Sequence, residues 1–198
     1  MTPSRISKLA LSSDGASLIV SRFGGQAELD LWKLNLSQLT AEWVRILGTS
    51  RFPIDQIVFS PDQHLLSAVI SDNDFRRDAV YFYDTDTFTL QERLRLPASW
   101  SLSNEIPALA FSPEGRYLAL LDDDGVLGIW NREEQRPMTS FRVHPFLAST
   151  PFYISHAMDW AQNGGLIATA GWCPIEGHEG GKIGEEDFAI KLWRLEEL

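Results

Sequence analysis

A short turn that returns at near-constant intervals constrains this chain more than any other feature in it. Its copies are Ser12-Ser13-Asp14-Gly15, Ser60-Pro61-Asp62-Gln63, Ser112-Pro113-Glu114-Gly115 and Ala161-Gln162-Asn163-Gly164, at intervals of 48, 52 and 49 residues. The clearest copy lies in residues 106–131, IPALAFSPEGRYLALLDDDGVLGIWN. There an apolar run meets the turn, a second run spans 117–121, an acidic turn spans 122–125, and a third run closes on Ile129-Trp130. Pro113 presets φ for the second position of a type I turn and Gly115 tolerates the φ > 0 exit, so two strands joined by a hairpin are expected. A fixed period with this content is the mark of a repeat architecture.

Each third run ends in an apolar-aromatic or aromatic pair: Leu31-Trp32, Phe82-Tyr83, Ile129-Trp130 and Leu192-Trp193. A fourth extended segment follows the first three at 42–47, 90–96 and 139–143. Four strands per repeat make the blade of a β-propeller. Strands are expected near 6–11, 16–21, 27–34 and 42–47, then 56–59, 65–70, 79–83 and 90–96. The third repeat supplies its own three plus 139–143, and the fourth 155–160, 166–170 and 188–194. The expected fold is all-β: one propeller domain over 1–198, with blades at about 6–47, 54–96, 106–143 and 154–195. The last blade is expected to lack its outer strand, which leaves two apolar blade faces open. Three outcomes are open: a four-bladed ring closed by packing alone, a homodimer completing an eight-bladed ring, or part of a larger propeller; an open, partial or self-assembling ring is expected.

Phe59-Ser60-Pro61-Asp62, Phe111-Ser112-Pro113-Glu114-Gly115 and the closing Leu-Trp pairs resemble the WD40-repeat β-propellers, over nearly the whole chain. The repeats are divergent. They carry no Gly-His dipeptide, no third strand ends in Trp-Asp, and the period exceeds the roughly 40 to 45 residues of that family. The buried His/Asp/Trp network that the family implies is therefore not expected here.

One cysteine, Cys173, allows no internal disulfide and points to a reducing compartment. No apolar run approaches the roughly 18 residues a membrane helix needs, and no cationic-then-apolar leader opens the chain. A cytoplasmic protein without a membrane span is expected. The net charge of −10 argues against nucleic acid, whose binding needs clustered Lys and Arg.

In a propeller, the loops joining second to third strands and those joining one blade to the next share a face. The three second-to-third loops, 72–78, 122–125 and 172–187, hold eleven acidic residues against Arg76, Arg77 and Lys182, so most of the net charge belongs to that face. It also receives Phe75, Trp100, Phe146, Phe152 and Trp172, aromatics able to anchor a partner at small entropic cost. With Arg76, Arg77, Glu176 and His178 these form a candidate docking site for a protein partner bearing a basic, partly apolar segment.

Catalytic, cofactor and metal sites are not expected. Cys173 and His178 offer two soft ligands where structural zinc takes four, and neither Asp72-Asn73-Asp74 nor Asp122-Asp123-Asp124 continues into a calcium loop. Of the four histidines, His64 follows a hairpin turn and His156 starts an inner strand; both read as structural. Nucleophile elbows, phosphate loops and paired zinc histidines are absent. A propeller hydrolase using the acidic loops is the rival class. A second resemblance lies in Ala170-Gly171, Trp172-Cys173, the long Gly-rich loop and Ile190-Lys191-Leu192-Trp193. It is similar to the N-terminal propeller of the neuroblastoma-amplified-sequence family. That resemblance implies a subunit of an endoplasmic-reticulum tethering complex for retrograde vesicles, peripheral at that membrane.

Overall fold

The structure, a computed structural model, describes residues 5–24, 26–50, 54–71, 78–96, 106–144, 157–172 and 188–194. These are all-β, and they form four successive propeller-type blades in two compact units, Met1–Leu96 and Pro97–Leu198. The first unit holds blade 1, with β1 (Arg5–Leu11), β2 (Ser17–Phe23), β3 (Ala27–Asn35) and β4 (Thr40–Ser50). It also holds blade 2, with β5 (Ile54–Phe59), β6 (Leu65–Ser71), β7 (Asp78–Asp84) and β8 (Leu90–Arg95). The second unit holds blade 3, with β9 (Ala108–Phe111), β10 (Tyr117–Leu121), β11 (Val126–Asn131) and β12 (Arg136–Arg142). Blade 4 has β13 (Ala157–Trp160), β14 (Leu166–Trp172) and β15 (Phe188–Arg194). Every sheet is antiparallel with its strands in chain order, and none closes on itself.

The recurring turn is built as its sequence suggests. In blade 3 the Gly115 amide donates to the Ser112 carbonyl at 2.8 Å with φ of 75° at Gly115, and the Tyr117 amide donates to the Ser112 hydroxyl oxygen at 2.9 Å. Blades 1 and 2 add a carboxylate: Asp14 and Asp62 each accept from the turn serine and from the amide two residues on. The turn thus satisfies its own backbone donors and fixes the register of the hairpin that follows.

Register decides what each face buries, because alternate strand residues point to opposite sides. In blade 1 Ile19 lies opposite Leu31 and Ser21 opposite Leu29, on the face turned to blade 2. We term this the trailing face. It packs on the leading face of blade 2, where Ile54, Ile57, Leu66, Ala68 and Ile70 complete one core. The second unit repeats the joint: Ala119, Leu121, Leu127 and Ile129 on the trailing face of blade 3 meet Trp160 and Ile167 on the leading face of blade 4. Each fully buried Leu or Ile contributes about 1.5–3 kcal/mol, so each joint is a substantial source of its unit's stability.

Two strands differ from the sequence expectation by three residues at one end, and several others by one or two. β4 runs on to Ser50 rather than ending at 47, because Gly48, Thr49 and Ser50 pair with Leu29, Glu28 and Ala27 at the start of β3. β12 begins at Arg136 rather than 139, with Pro137 beside the bulge opposite Trp130. As an outer strand, β12 tolerates a residue without an N–H.

Candidate functional site

Of the residues expected to form the docking face, Phe75, Arg76, Arg77, Trp100, Phe146, Phe152, Glu176 and His178 lie outside the described residues. So do Cys173, His156 and the loops that carry most of the acids. The backbone of Trp172 is described: it ends β14 opposite Phe188. What can be built of that face is the acidic turn of blade 3 and the chain leaving β12 beside it.

The turn 122–125 joins β10 to β11. Asp122 is fully buried, and its carboxylate accepts from the Val126 amide at 2.6 Å, capping the hairpin as an acidic turn residue is expected to. Gly125 sits at φ 77°, and a Cβ there would lie 2.6 Å from the His144 carbonyl oxygen and 2.8 Å from its Cβ. Only glycine fits, on both counts. The reason is that β12 hands over its last residues here: the amides of Val143 and His144 both donate to the Gly125 carbonyl, at 2.8 and 3.1 Å.

Asp123 and Asp124 remain half-exposed. Burial first, and then the neighbouring Asp123 charge, raise the Asp124 carboxyl above its ordinary value, with the Arg142 guanidinium opposing. Arg142 also donates to the Asp124 backbone carbonyl. The turn therefore carries a carboxylate whose charge is disfavoured where it stands.

His144 is a residue the sequence reading left without a role. It is 1 % exposed, and its Nε2 lies 3.0 Å from the Thr169 hydroxyl, which also accepts from the Trp193 indole N–H at 2.9 Å. The indole can only donate, so the hydroxyl proton remains available to the imidazole. Lys191 adds a bond from Nζ to the Val143 carbonyl at 2.6 Å. Blades 3 and 4 are thus tied by a buried His–Thr–Trp chain. This His–Thr–Trp link was not foreseen from the sequence. The usable signal was a Thr on the same face of β14 as Ile167, opposite Lys191 and two residues of register from Trp193.

A second buried polar group that sequence reading missed is Asp30 in β3. Its carboxylate accepts from the Arg22 guanidinium, and from the Trp43 indole at 3.3 Å, while Arg22 also reaches Glu28 at 2.7 Å. The Asp30 hydrogen bond is the main cause that raises the Arg22 pKa above its ordinary value. A charged pair two rungs apart on adjacent strands was the sign of it.

At the opposite end of the first unit, the turns of blades 1 and 2 enclose a polar cleft of about 290 Å³, lined by Asp14, Lys33, Phe59, Gln63, His64 and Asp86 among others. The Ser13 amide donates to the Gln63 side-chain oxygen at 2.8 Å and bridges the two turns. Asp14 is held below its ordinary value by the Ser12 hydroxyl and then the Ala16 amide. Asp62 accepts from Ser60 and the His64 amide. Both carboxylates thus cap their own turns. Among the described residues, no three acids, histidines or cysteines gather as a metal site would require.

Blade count, register and the blade-to-blade joints define a chain of β-propeller blades. No protein-family model matches it, and no curated protein matches it either.

Proposed function

We propose that this chain is a non-catalytic interaction module of the WD40-propeller kind, which docks a basic, partly apolar segment of a protein partner on the face bearing its second-to-third-strand loops. The observation that carries the reading is the acidic turn of blade 3. Two half-exposed carboxylates, Asp123 and Asp124, stand on a turn locked by the buried Asp122 and by Gly125, and the ionised form of Asp124 is disfavoured by burial and by Asp123. A cationic side chain from a partner relieves that cost, so the turn is preorganised for positive charge. The buried link through His144, Thr169 and Trp193 holds the chain leaving β12 beside the turn.

The test is fluorescence anisotropy with a labelled peptide of alternating Lys and Leu, against a control with Ser for Lys. The Asp123→Asn/Asp124→Asn protein is expected to bind the Lys peptide about 2- to 30-fold more weakly, as removal of two surface charges of about 0.2–1 kcal/mol each implies. Equal affinity for wild type and double variant, or equal affinity for both peptides, would remove the basis of this reading.

A further inference from the structure

The four blades align through their turns, and the alignment shows an asymmetry at the two ends of the repeat. In β15, Ile190 and Leu192 hold the trailing-face positions that Leu29 and Leu31 hold in β3 and Leu127 and Ile129 hold in β11. Those four counterparts lie inside blade joints at 2 % exposure or less, whereas Ile190 and Leu192 are 79 % and 67 % exposed. In β1, Ile6 and Leu9 hold the leading-face positions of Ile54 and Ile57 in β5. The β5 pair is 1 % and 3 % exposed; Ile6 and Leu9 are 65 % and 60 % exposed, and Leu11 beyond them 57 %. Blade 1 therefore presents at Ile6, Leu9 and Leu11 an exposed part of its leading face, and blade 4 at Ile190 and Leu192 an exposed part of its trailing face, made of the residue types a joint buries.

We infer that these are two halves of one further blade joint, formed between copies: the trailing face of blade 4 in one molecule packs on the leading face of blade 1 in a second. The chain itself supplies the precedent. The joint described within each unit sets a trailing face on a leading face, and neither sets like on like. A second copy offers the missing complement to each end at once. Shape agrees, since the middle strand of blade 4 brings Ala168 and Ala170 to its free face, room for the longer Leu9 and Leu11. Charge does not oppose it: Arg22 is already paired with Glu28 and Asp30 on blade 1, and Asp159 and Arg194 on blade 4 have opposite sign. Such a contact is heterologous, and two of them close a head-to-tail dimer. It uses sheet faces rather than loops, so it stands or falls apart from the docking reading above.

Light scattering on a sizing column is expected to give twice the chain mass of 22.3 kDa for the wild type. Leu9→Glu and Leu192→Glu, each exposed in the single chain, should each give monomers with unchanged circular dichroism and Trp emission. Mixed in equal amounts they should return to the dimer mass, because each brings the intact face the other lacks. Should either charge impair folding, Leu9→Cys and Leu192→Cys chains on a Cys173→Ser background decide the matter. Oxidation should link the mixture into a dimer and leave each alone unlinked. A monomeric wild type, a mixture that stays monomeric and unlinked, or linking of one cysteine variant to itself would overturn the inference.

Discussion

Gln63 shows how a single residue trades backbone strain for a bond between blades. It occupies the turn position where the other three copies have Gly15, Gly115 and Gly164, and it adopts the same left-handed conformation, with φ of 62°. For an L side chain that conformation costs about 1–2 kcal/mol. In return its amide group accepts from Ser13 of blade 1 and donates to the Ser60 carbonyl at 2.9 Å. Gln63→Ala keeps the strain and loses both bonds, so urea unfolding should show a loss of about 1–2 kcal/mol. Gln63→Gly loses the bonds and the strain together and should change stability by less than about 1 kcal/mol. If the two variants are equally destabilised, the left-handed conformation carries no strain; if Gln63→Ala is neutral, the side-chain bridge is worth nothing. Asp124 makes the opposite kind of trade. Its folded pKa lies above the ordinary carboxylate value, so its ionisation disfavours the folded state. That penalty is absent below about pH 3.9 and complete once pH exceeds the folded value. Asp124→Asn should therefore raise the melting temperature at pH 7 and leave it unchanged near pH 3. A lower melting temperature at pH 7 would contradict the origin assigned to the shift.

Strands were legible in this chain wherever the pattern was local. The turns at Ser60 and Ser112, the short apolar runs of β2 and β6, and the closing pairs Leu31-Trp32 and Ile129-Trp130 each declare themselves within a few residues. The outer strands were less so. The far end of β4 exists because β3 already begins at Ala27 and needs a partner there, which no property of Gly48-Thr49-Ser50 announces. The polar links were hidden for the same reason. His144, Thr169 and Trp193 meet only after two blades have packed, and nothing in the segment around Val143-His144 signals an imidazole that will be buried. The candidate docking face was legible as composition alone, since acids and aromatics in loops leave no periodic trace of where they point. The His–Thr–Trp chain can be weighed through its middle member. Thr169→Val keeps the side-chain shape but removes the acceptor for the indole and the partner of the imidazole, leaving buried polar groups. Chemical unfolding should register a loss of about 2–4 kcal/mol for two such groups, against less than about 1 kcal/mol for Thr→Val at an exposed strand site. A near-neutral result would mean the chain contributes geometry rather than stability.

At the scale of the whole molecule, the two surfaces should respond to salt in opposite directions. A chain of net charge −10 repels its own copies, while the end faces that would join them are built of Ile6, Leu9, Leu11, Ile190 and Leu192. Raising ionic strength from 0.1 to 1 M shortens the screening length from about 10 Å to about 3 Å, which weakens that repulsion and leaves apolar burial intact. Self-association should tighten with added sodium chloride. The same screening weakens the pull of the Asp122–Asp124 turn on a cationic peptide, so binding there should fall over the same range. Sedimentation velocity at several protein concentrations and peptide anisotropy, run side by side in one salt series, separate the two effects in one preparation. If self-association instead weakens with salt, charges rather than the apolar faces hold the copies together, and Asp159 and Arg194 become the residues to change. If peptide binding is insensitive to salt, the acidic turn is a capped hairpin and no more, and the apolar ends remain as the surfaces through which this chain meets another molecule.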